Sequence, residues 1–139
     1  MTESLTTRAV ATEGWRWLPG MLVLTRDGLH LRISATTKSG ASDAGSFIGV
    51  TRTGKAYGWR RKGLPDLTDP ATLGCLLHLV RKAWADRGTV HVDEPVAEAL
   101  GEPWIVRVLD GMADRIWTSR GATEAEALIA ALEAAAKNR

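Results

Sequence analysis

The stretch "TDPATLGCLLHLVRKAWADRG", residues 68–88, separates two kinds of sequence in this chain. Asp69 is a helix N-cap, and Pro70 occupies the first helical position, where its missing N–H costs nothing. Gly88 is a natural C-terminal stop. Apolar residues recur between them every three or four positions, at Leu73, Leu76, Leu77, Val80 and Trp84. This spacing predicts an amphipathic helix that buries the apolar stripe.

The sequence before this helix has the alternation of antiparallel strands. Residues 21–34 place Asp27-Gly28 between two strand-like runs, which is a strong hairpin signal. A second hairpin is predicted within residues 47–60. Gly49 and Gly58 lie inside its strands and indicate a bulge or a close approach of two backbones.

The sequence after the helix repeats this arrangement on a smaller scale. It predicts a short strand at 89–92, a hairpin around Asp110-Gly111 and a final helix, in which Thr123 and Glu126 have capping-box spacing. The inward side of this helix is predicted to contain Ala125, Leu128, Ile129, Leu132 and Ala136. Segregated strands and two amphipathic helices predict an α+β fold, with both helices packed on an antiparallel sheet built from hairpins.

The length of 139 residues predicts one domain spanning 1–139. We expect residues 1–12 to be flexible, residues 13–62 to form a hairpin half, and residues 63–139 to form the helix–strand–strand–helix half. Apolar residues make up 45% of the chain and charged residues 24%, which is typical of a soluble globular protein.

The cysteine count and the start of the chain predict a cytoplasmic protein. A single cysteine, Cys75, excludes an internal disulfide and is typical of a reducing compartment. The first residues, "MTESLTTRAV", lack the basic and apolar regions of a secretion signal. The apolar runs are far shorter than the roughly 20 residues that a membrane span needs. We therefore expect no membrane partner.

The residues that can carry chemistry are few. Cys75 and His78 are three apart on the predicted helix, and His91 and Asp93 are two apart on a strand. Both spacings can place two side chains on one face. A zinc site or a Cys–His nucleophile pair is the functional alternative, but no further ligand or orienting residue flanks either pair. The sequence predicts no metal, no cofactor and no enzyme, and an enzyme using Cys75 and His78 ranks last among the alternatives.

The segment "TGKAYGWRRKG", residues 53–63, combines cations with aromatic residues. It lies at the end of a basic half, since residues 1–62 hold ten lysines and arginines against four acidic residues. Residues 63–139 hold eight against twelve. Tyr57 and Trp59 are also what a core under the helices would contain. The cations need another explanation, and either an acidic protein or a single-stranded nucleic acid would suit them. The predicted partner-binding residues are Arg16, Lys55, Trp59, Arg60, Arg61 and Lys62.

Two other features favour contact with partners. Trp15 and Trp17 flank Arg16, and tryptophan and arginine are enriched at interface hot spots. The final helix is rich in alanine on the side predicted to face outward, at Ala127, Ala130, Ala131 and Ala134. This face favours self-association as a homodimer, although an exposed stable helix also contains alanines.

Three segments resemble a class of small phage and prophage accessory proteins. They are "GWRWLPGM" (14–21), "PDLTDPATLGCLLHLVRKAW" (65–84) and "GATEAEALIAALEAA" (121–135). The closing hairpin and its helix also look like the phage α-β-α sandwich domain. The resemblance supplies no catalytic residues. It implies an accessory protein made in the host cytoplasm during infection or lysogeny, which acts by binding host or phage machinery.

The sequence therefore leads to two hypotheses about function. The first is a non-catalytic phage-type protein that binds another protein, such as an inhibitor of a host defence system of the CRISPR effector kind (anti-CRISPR-like). The alternative is a small nucleic-acid-binding protein that uses the basic hairpin at 53–63.

Overall fold

The computed structural model describes residues 4–26, 28–36, 46–60, 63–97, 100–112 and 114–137. It confirms the α+β fold, with helices and two antiparallel sheets. The chain divides into two compact units, one of residues 16–75 and one of residues 1–15 with 76–139. The boundary between the units falls within the second helix. The single domain predicted from length stays a prediction.

The helices are α1 (Leu5–Ala11), α2 (Pro70–Trp84) and α3 (Glu124–Lys137). The strands are β1 (Leu22–Thr25), β2 (His30–Thr36), β3 (Ser46–Val50), β4 (Ala56–Arg60), β5 (Gly63–Pro65), β6 (Thr89–Asp93), β7 (Trp104–Leu109) and β8 (Arg115–Gly121). All three predicted hairpins are present, as β1–β2, β3–β4 and β7–β8, and the strand predicted at 89–92 is β6.

The unit of residues 16–75 contains a five-stranded antiparallel sheet in the order β4-β3-β2-β1-β5. Strand β5 was not predicted, because its Pro65 marks a break in a strand pattern. It forms as an edge strand, in which Pro65 lies opposite Val23 of β1. An edge strand tolerates proline because one side of its backbone needs no partner.

This sheet is strongly rolled. Only two residues separate Arg60, at the end of β4, from Gly63, at the start of β5. Consecutive Cα atoms are 3.8 Å apart, so these two Cα atoms lie within about 11 Å of each other. In a flat five-stranded sheet the two outer strands would be about 19 Å apart. The sheet must therefore curl until its edge strands approach, as in a small, partly closed barrel.

The interior of this unit lies on the face that holds Val23, Leu31 and Ile33, all of them buried. Gly49 of β3 packs so closely on Leu31 that an added Cβ would lie 2.7 Å from the Leu31 Cβ. This contact is with a side chain, and the bulge expected at Gly49 lies on the partner strand: pairing is irregular between Ile33, opposite Gly49, and Ala35, opposite Ile48. Gly58 pairs regularly with Ile48.

Helix α2 begins as predicted, and three residues of its predicted stripe, Leu76, Val80 and Trp84, are buried. The Asp69 carboxylate accepts the Thr72 N–H at 3.0 Å, which confirms the N-cap. The helix ends at Trp84, four residues before Gly88. Its buried residues are Thr72, Leu76, Leu79, Val80 and Trp84, whereas Leu73 and Leu77 are only half-buried. Thr72 can be buried because its hydroxyl accepts the Leu22 N–H and donates to Asp69.

The unit of residues 1–15 and 76–139 contains a three-stranded sheet in the order β6-β7-β8. One face carries Val90, Val106 and Val108, which are buried. Helix α3 packs on this sheet, and the Ser119 hydroxyl of β8 donates to the Ala127 carbonyl at 2.8 Å. This buried hydrogen bond fixes the position of the helix along the strand.

The alanine-rich side of α3 is not an outer face. Ala127, Ala131 and Ala134 are buried, so the exposed alanine surface predicted for self-association is wrong. Small side chains allow α3 to be enclosed on most of its circumference, since α1 packs against it and Arg8 forms an ion pair with Glu133 at 2.5 Å. Helix α1 occupies part of the segment that was expected to be flexible.

We expect Ser119→Ala to lower the free energy of unfolding by about 1–2 kcal/mol, because the Ala127 carbonyl would lose its hydroxyl donor in a buried site. Thr118→Val is the matched control on the same strand. The Thr118 hydroxyl is buried without a hydrogen-bond partner among the described residues, so its loss should be neutral or stabilising. Urea unfolding of both variants measures the contrast, and equal costs would contradict this assignment.

Candidate functional site

A cavity of about 470 Å³ lies on the outer face of the five-stranded sheet. It is lined by Leu22, His30, Arg32, Val50, Thr51 and Arg52, and we call it the basic groove. Residues on a strand alternate between two faces, so Leu31 and Ile33 enter the interior while His30 and Arg32 face outward. The described part of the lining therefore contains two arginines, a histidine and no carboxylate.

Arg32 is held in place by an ion pair with the N-cap of α2. Its two Nη atoms donate to the Asp69 carboxylate at 2.5 and 3.1 Å, and Nη1 also donates to the Gly20 carbonyl at 2.9 Å. These hydrogen bonds lower the pKa of Asp69, and the same pairing raises the pKa of Arg32. Because the charge of Arg32 is balanced by Asp69, Arg32 lines the groove but contributes little attraction to an anionic partner.

Arg52 and His30 have a different environment. Both side chains are exposed, and neither forms a hydrogen bond or an ion pair with any residue that the structure describes. Arg52 lies in the turn between β3 and β4, which is closed by the Thr51 N–H donating to the Lys55 carbonyl at 2.9 Å. Gly54 supplies the positive φ of +87° that this turn requires. The turn thus presents Arg52 from an ordered backbone to an incoming anion.

Exposed leucines lie beside His30 on the same face of the sheet. Leu24 lies opposite His30 on one side and opposite Leu64 on the other, and the two leucines are 42% and 39% exposed. Adjacent apolar side chains left in water on a sheet face are typical of an interaction surface. The basic groove and its leucine rim, defined as Leu24 and Leu64, suit a partner that offers both carboxylates and apolar groups.

The structure places only part of the predicted site. Lys55 is exposed in the same turn as Arg52, and Arg16 is exposed at the start of this unit. Trp59 and Arg60 lie on β4, opposite Phe47 and Ser46. The side chains of Trp59 and Arg60, and all of Arg61 and Lys62, lie outside the described residues. Their role in binding stays a prediction.

Sequence reasoning missed His30, Arg32 and Arg52 as site residues. The signal was present, because the alternation of residues 29–34 already placed His30 and Arg32 on the wet face. What the pattern did not reveal was that β2 and the turn after β3 border one cavity. That proximity depends on the pairing of Arg32 with Val50 across the sheet.

The candidate chemical pairs do not assemble into a reactive site in the described part of the chain. The Cys75 thiol is half-buried, 3.6 Å from the Pro19 carbonyl, and burial raises its pKa, which disfavours a thiolate nucleophile. His78 is exposed. Asp93 binds Arg107 at 2.6 and 3.2 Å. No group of three or more potential metal ligands occurs among the described residues.

Comparison with protein-family models, with curated proteins and with solved structures found no significant match to this chain. Among the residues that the structure describes, no helix has the length and apolar character needed to cross a membrane. The site must therefore be interpreted from its own chemistry.

Proposed function

We propose that this chain is a non-catalytic binding protein whose basic groove takes an acidic segment of a partner protein. The observation that supports the proposal is the combination of Arg52 and His30, which have no partner among the described residues, with the leucine rim. An acidic peptide that also carries apolar side chains would satisfy both kinds of surface. Its carboxylates would pair with Arg52, and its apolar groups would cover Leu24 and Leu64.

Nucleic acid is the less suitable ligand for this groove. A polynucleotide needs a row of cations along its backbone, whereas Arg32 is already neutralised by Asp69. The exposed leucines also contribute little to phosphate binding. Arg52 and Lys55 in one turn keep nucleic acid as the second candidate, and its binding would weaken steeply with salt.

A protein of this kind acts by occupying a surface that another protein needs. That mode of action agrees with the phage accessory proteins that the sequence resembles, including inhibitors of host defence complexes. The proposal requires no catalytic group, since affinity comes from charge pairing and burial of the leucine rim.

We expect Arg52→Glu to weaken capture of the partner by about tenfold or more, because it replaces an attraction by a repulsion at the groove. The measurement is a pull-down from bacterial lysate with wild type and variant side by side, with and without nuclease. Lys82→Glu makes the same charge change at an exposed position on α2 and is the matched control.

The outcomes separate the candidate functions. A protein that wild type and Lys82→Glu retain after nuclease, and that Arg52→Glu loses, supports the proposal. If the captured material is lost after nuclease treatment, the ligand is nucleic acid. If Arg52→Glu and wild type retain the same protein equally, the groove is not the binding site.

A further inference from the structure

The loop between β6 and β7 exposes two of the three most accessible large apolar side chains among the described residues. Val96 is 96% exposed and Leu100 is 82% exposed. Isolated exposed apolar residues are common on protein surfaces. Here, however, two of them lie four residues apart in one short loop, which we call the acidic loop and define as residues 94–102 without Glu98 and Ala99.

The acidic loop has internal hydrogen bonds that organise it. The Leu100 N–H donates to the Ala97 carbonyl at 2.9 Å, and the Ala97 N–H donates to the Glu102 carboxylate at 3.1 Å. Gly101 supplies a positive φ of +73° just before Glu102. These bonds hold Val96 and Leu100 outward on a turn, so a partner would meet them at a lower entropic cost.

The charge of the acidic loop is negative. Glu94 and Glu102 are exposed at its two ends, and no cation lies between residues 94 and 102 in the sequence. Glu124, at the start of α3, adds to this field. Its pKa is raised first by burial and then by the neighbouring Glu94. A cation brought to Glu94 would therefore relieve repulsion between two carboxylates as well as form an ion pair.

We infer that the acidic loop of one copy of this chain docks into the basic groove of a second copy. The inference rests on the proposed function, since it names a ligand for the same groove. The loop and the groove each offer a charged part and an apolar part. Glu94 would pair with Arg52 of the second copy, while Val96 and Leu100 would cover its leucine rim.

The two surfaces differ, so the contact is heterologous. Each copy offers one loop and one groove, and successive copies add head-to-tail into a chain or a closed ring. This arrangement does not use α3, whose alanines are buried. The contact is small and charge-dependent, so it should form at high protein concentration and weaken as salt rises.

Sedimentation of the purified full chain at low salt, from low to high micromolar concentration, tests the inference. We expect the mass of wild type and of Lys82→Glu to rise above that of a monomer. Arg52→Glu damages only the groove, and Glu94→Lys damages only the loop. Each alone should weaken association about tenfold or more.

Mixing the two variants is the decisive step. The intact loop of Arg52→Glu can enter the intact groove of Glu94→Lys, and the two reversed charges also attract each other, so an equal mixture should regain association. Leu100→Ser removes the apolar contact without touching charge, and because Leu100 is exposed it should fold normally and also weaken association. Circular dichroism confirms that every variant is folded.

Several results would overturn the inference. These are a monomeric wild type at every concentration, association unchanged in Arg52→Glu, or no complex in the mixture. A monomeric wild type whose partner capture is still lost in Arg52→Glu would remove the self-contact and leave the proposed function standing. If the chain associates through the groove but captures no other protein, the groove serves self-association and the proposed function is wrong.

Discussion

Replacing Trp84 by alanine is expected to lower the free energy of unfolding by about 3–5 kcal/mol, the largest effect of any change considered for this chain. Natural domains have only about 5–15 kcal/mol in total, so the variant should unfold partly at moderate temperature and express poorly in soluble form. The cost arises because Trp84 fills the centre of its unit with 1% of its surface exposed.

Three contacts converge on this indole. Its Nε1 donates to the Ala131 carbonyl at 3.0 Å in a buried site. The Trp117 ring stacks on it with centroids 6.5 Å apart, and the Arg87 guanidinium lies over its face at 4.1 Å. Arg87 also donates to the Ala135 carbonyl. The tryptophan therefore joins α2 to α3 by packing and by hydrogen bonding.

Trp84→Phe separates these two contributions. Phenylalanine keeps most of the packing but removes the N–H, which leaves the Ala131 carbonyl without its donor at a cost of about 1–3 kcal/mol. Trp104→Phe is the control, because Trp104 is half-buried and its N–H has no hydrogen bond to a described residue. Urea unfolding followed by circular dichroism ranks the variants. Equal costs at positions 84 and 104 would contradict the structure.

Asp69→Ala is expected to cost about 2–4 kcal/mol at neutral pH, because it removes both the N-cap of α2 and the partner of Arg32. Asp69 accepts hydrogen bonds from the Thr72 N–H, the Thr72 hydroxyl and two Arg32 nitrogens. Asp69→Asn keeps a good capping residue but loses the charge and one of the two oxygens that accept from Arg32. It should therefore cost less, about 1–2 kcal/mol.

The contribution of the charge depends on pH in a defined direction. Hydrogen bonding to Arg32 and then to Thr72 lowers the pKa of Asp69 in the folded protein below the ordinary value of 3.8. A depressed carboxyl pKa stabilises the folded state at every pH above 3.8. This stabilisation is lost as the pH falls from 3.8 through the folded pKa, where the folded carboxylate also takes up a proton.

The difference in stability between wild type and Asp69→Asn should therefore be full at pH 7 and shrink once the pH falls below 3.8. Urea unfolding at a series of pH values measures it. Asp66→Asn is the control, because the Asp66 carboxylate accepts hydrogen bonds only from Thr68 among the described residues. A wild-type advantage over Asp69→Asn that stays constant down to the acid limit would show that the Arg32 ion pair contributes nothing.

The hairpins and helix starts were predictable because their signals are local. Asp27-Gly28 between alternating runs predicted β1–β2, and Asp69-Pro70 predicted the start of α2. Strand β5 and the burial of Thr72 on α2 were not predicted. Both depend on partners far along the chain, since Pro65 pairs with Val23 and the Thr72 hydroxyl accepts from Leu22.

The candidate site shows the same division. The sequence indicated a basic hairpin around Lys55 but gave no reason to join it to His30 on another strand. The cavity that Arg52 and His30 share exists because β2 and β3 pair at Arg32 and Val50. The alanines of α3 were misassigned because periodicity alone cannot tell which elements meet that side of the helix, where Ser119 of β8 and Trp84 of α2 donate to the Ala127 and Ala131 carbonyls.

By itself, the sequence determined the three hairpins, the helices α2 and α3 with their caps, and which half of the chain is basic. These properties depend on neighbours within a few positions. Only the tertiary structure decided that the first sheet is rolled, that Arg32 is neutralised by Asp69, and that Arg52 and His30 pair with no residue that the structure describes. Those facts require residues that are distant in sequence to meet. The free energy of such a contact depends on the distance between the two groups, which a local sequence pattern does not indicate.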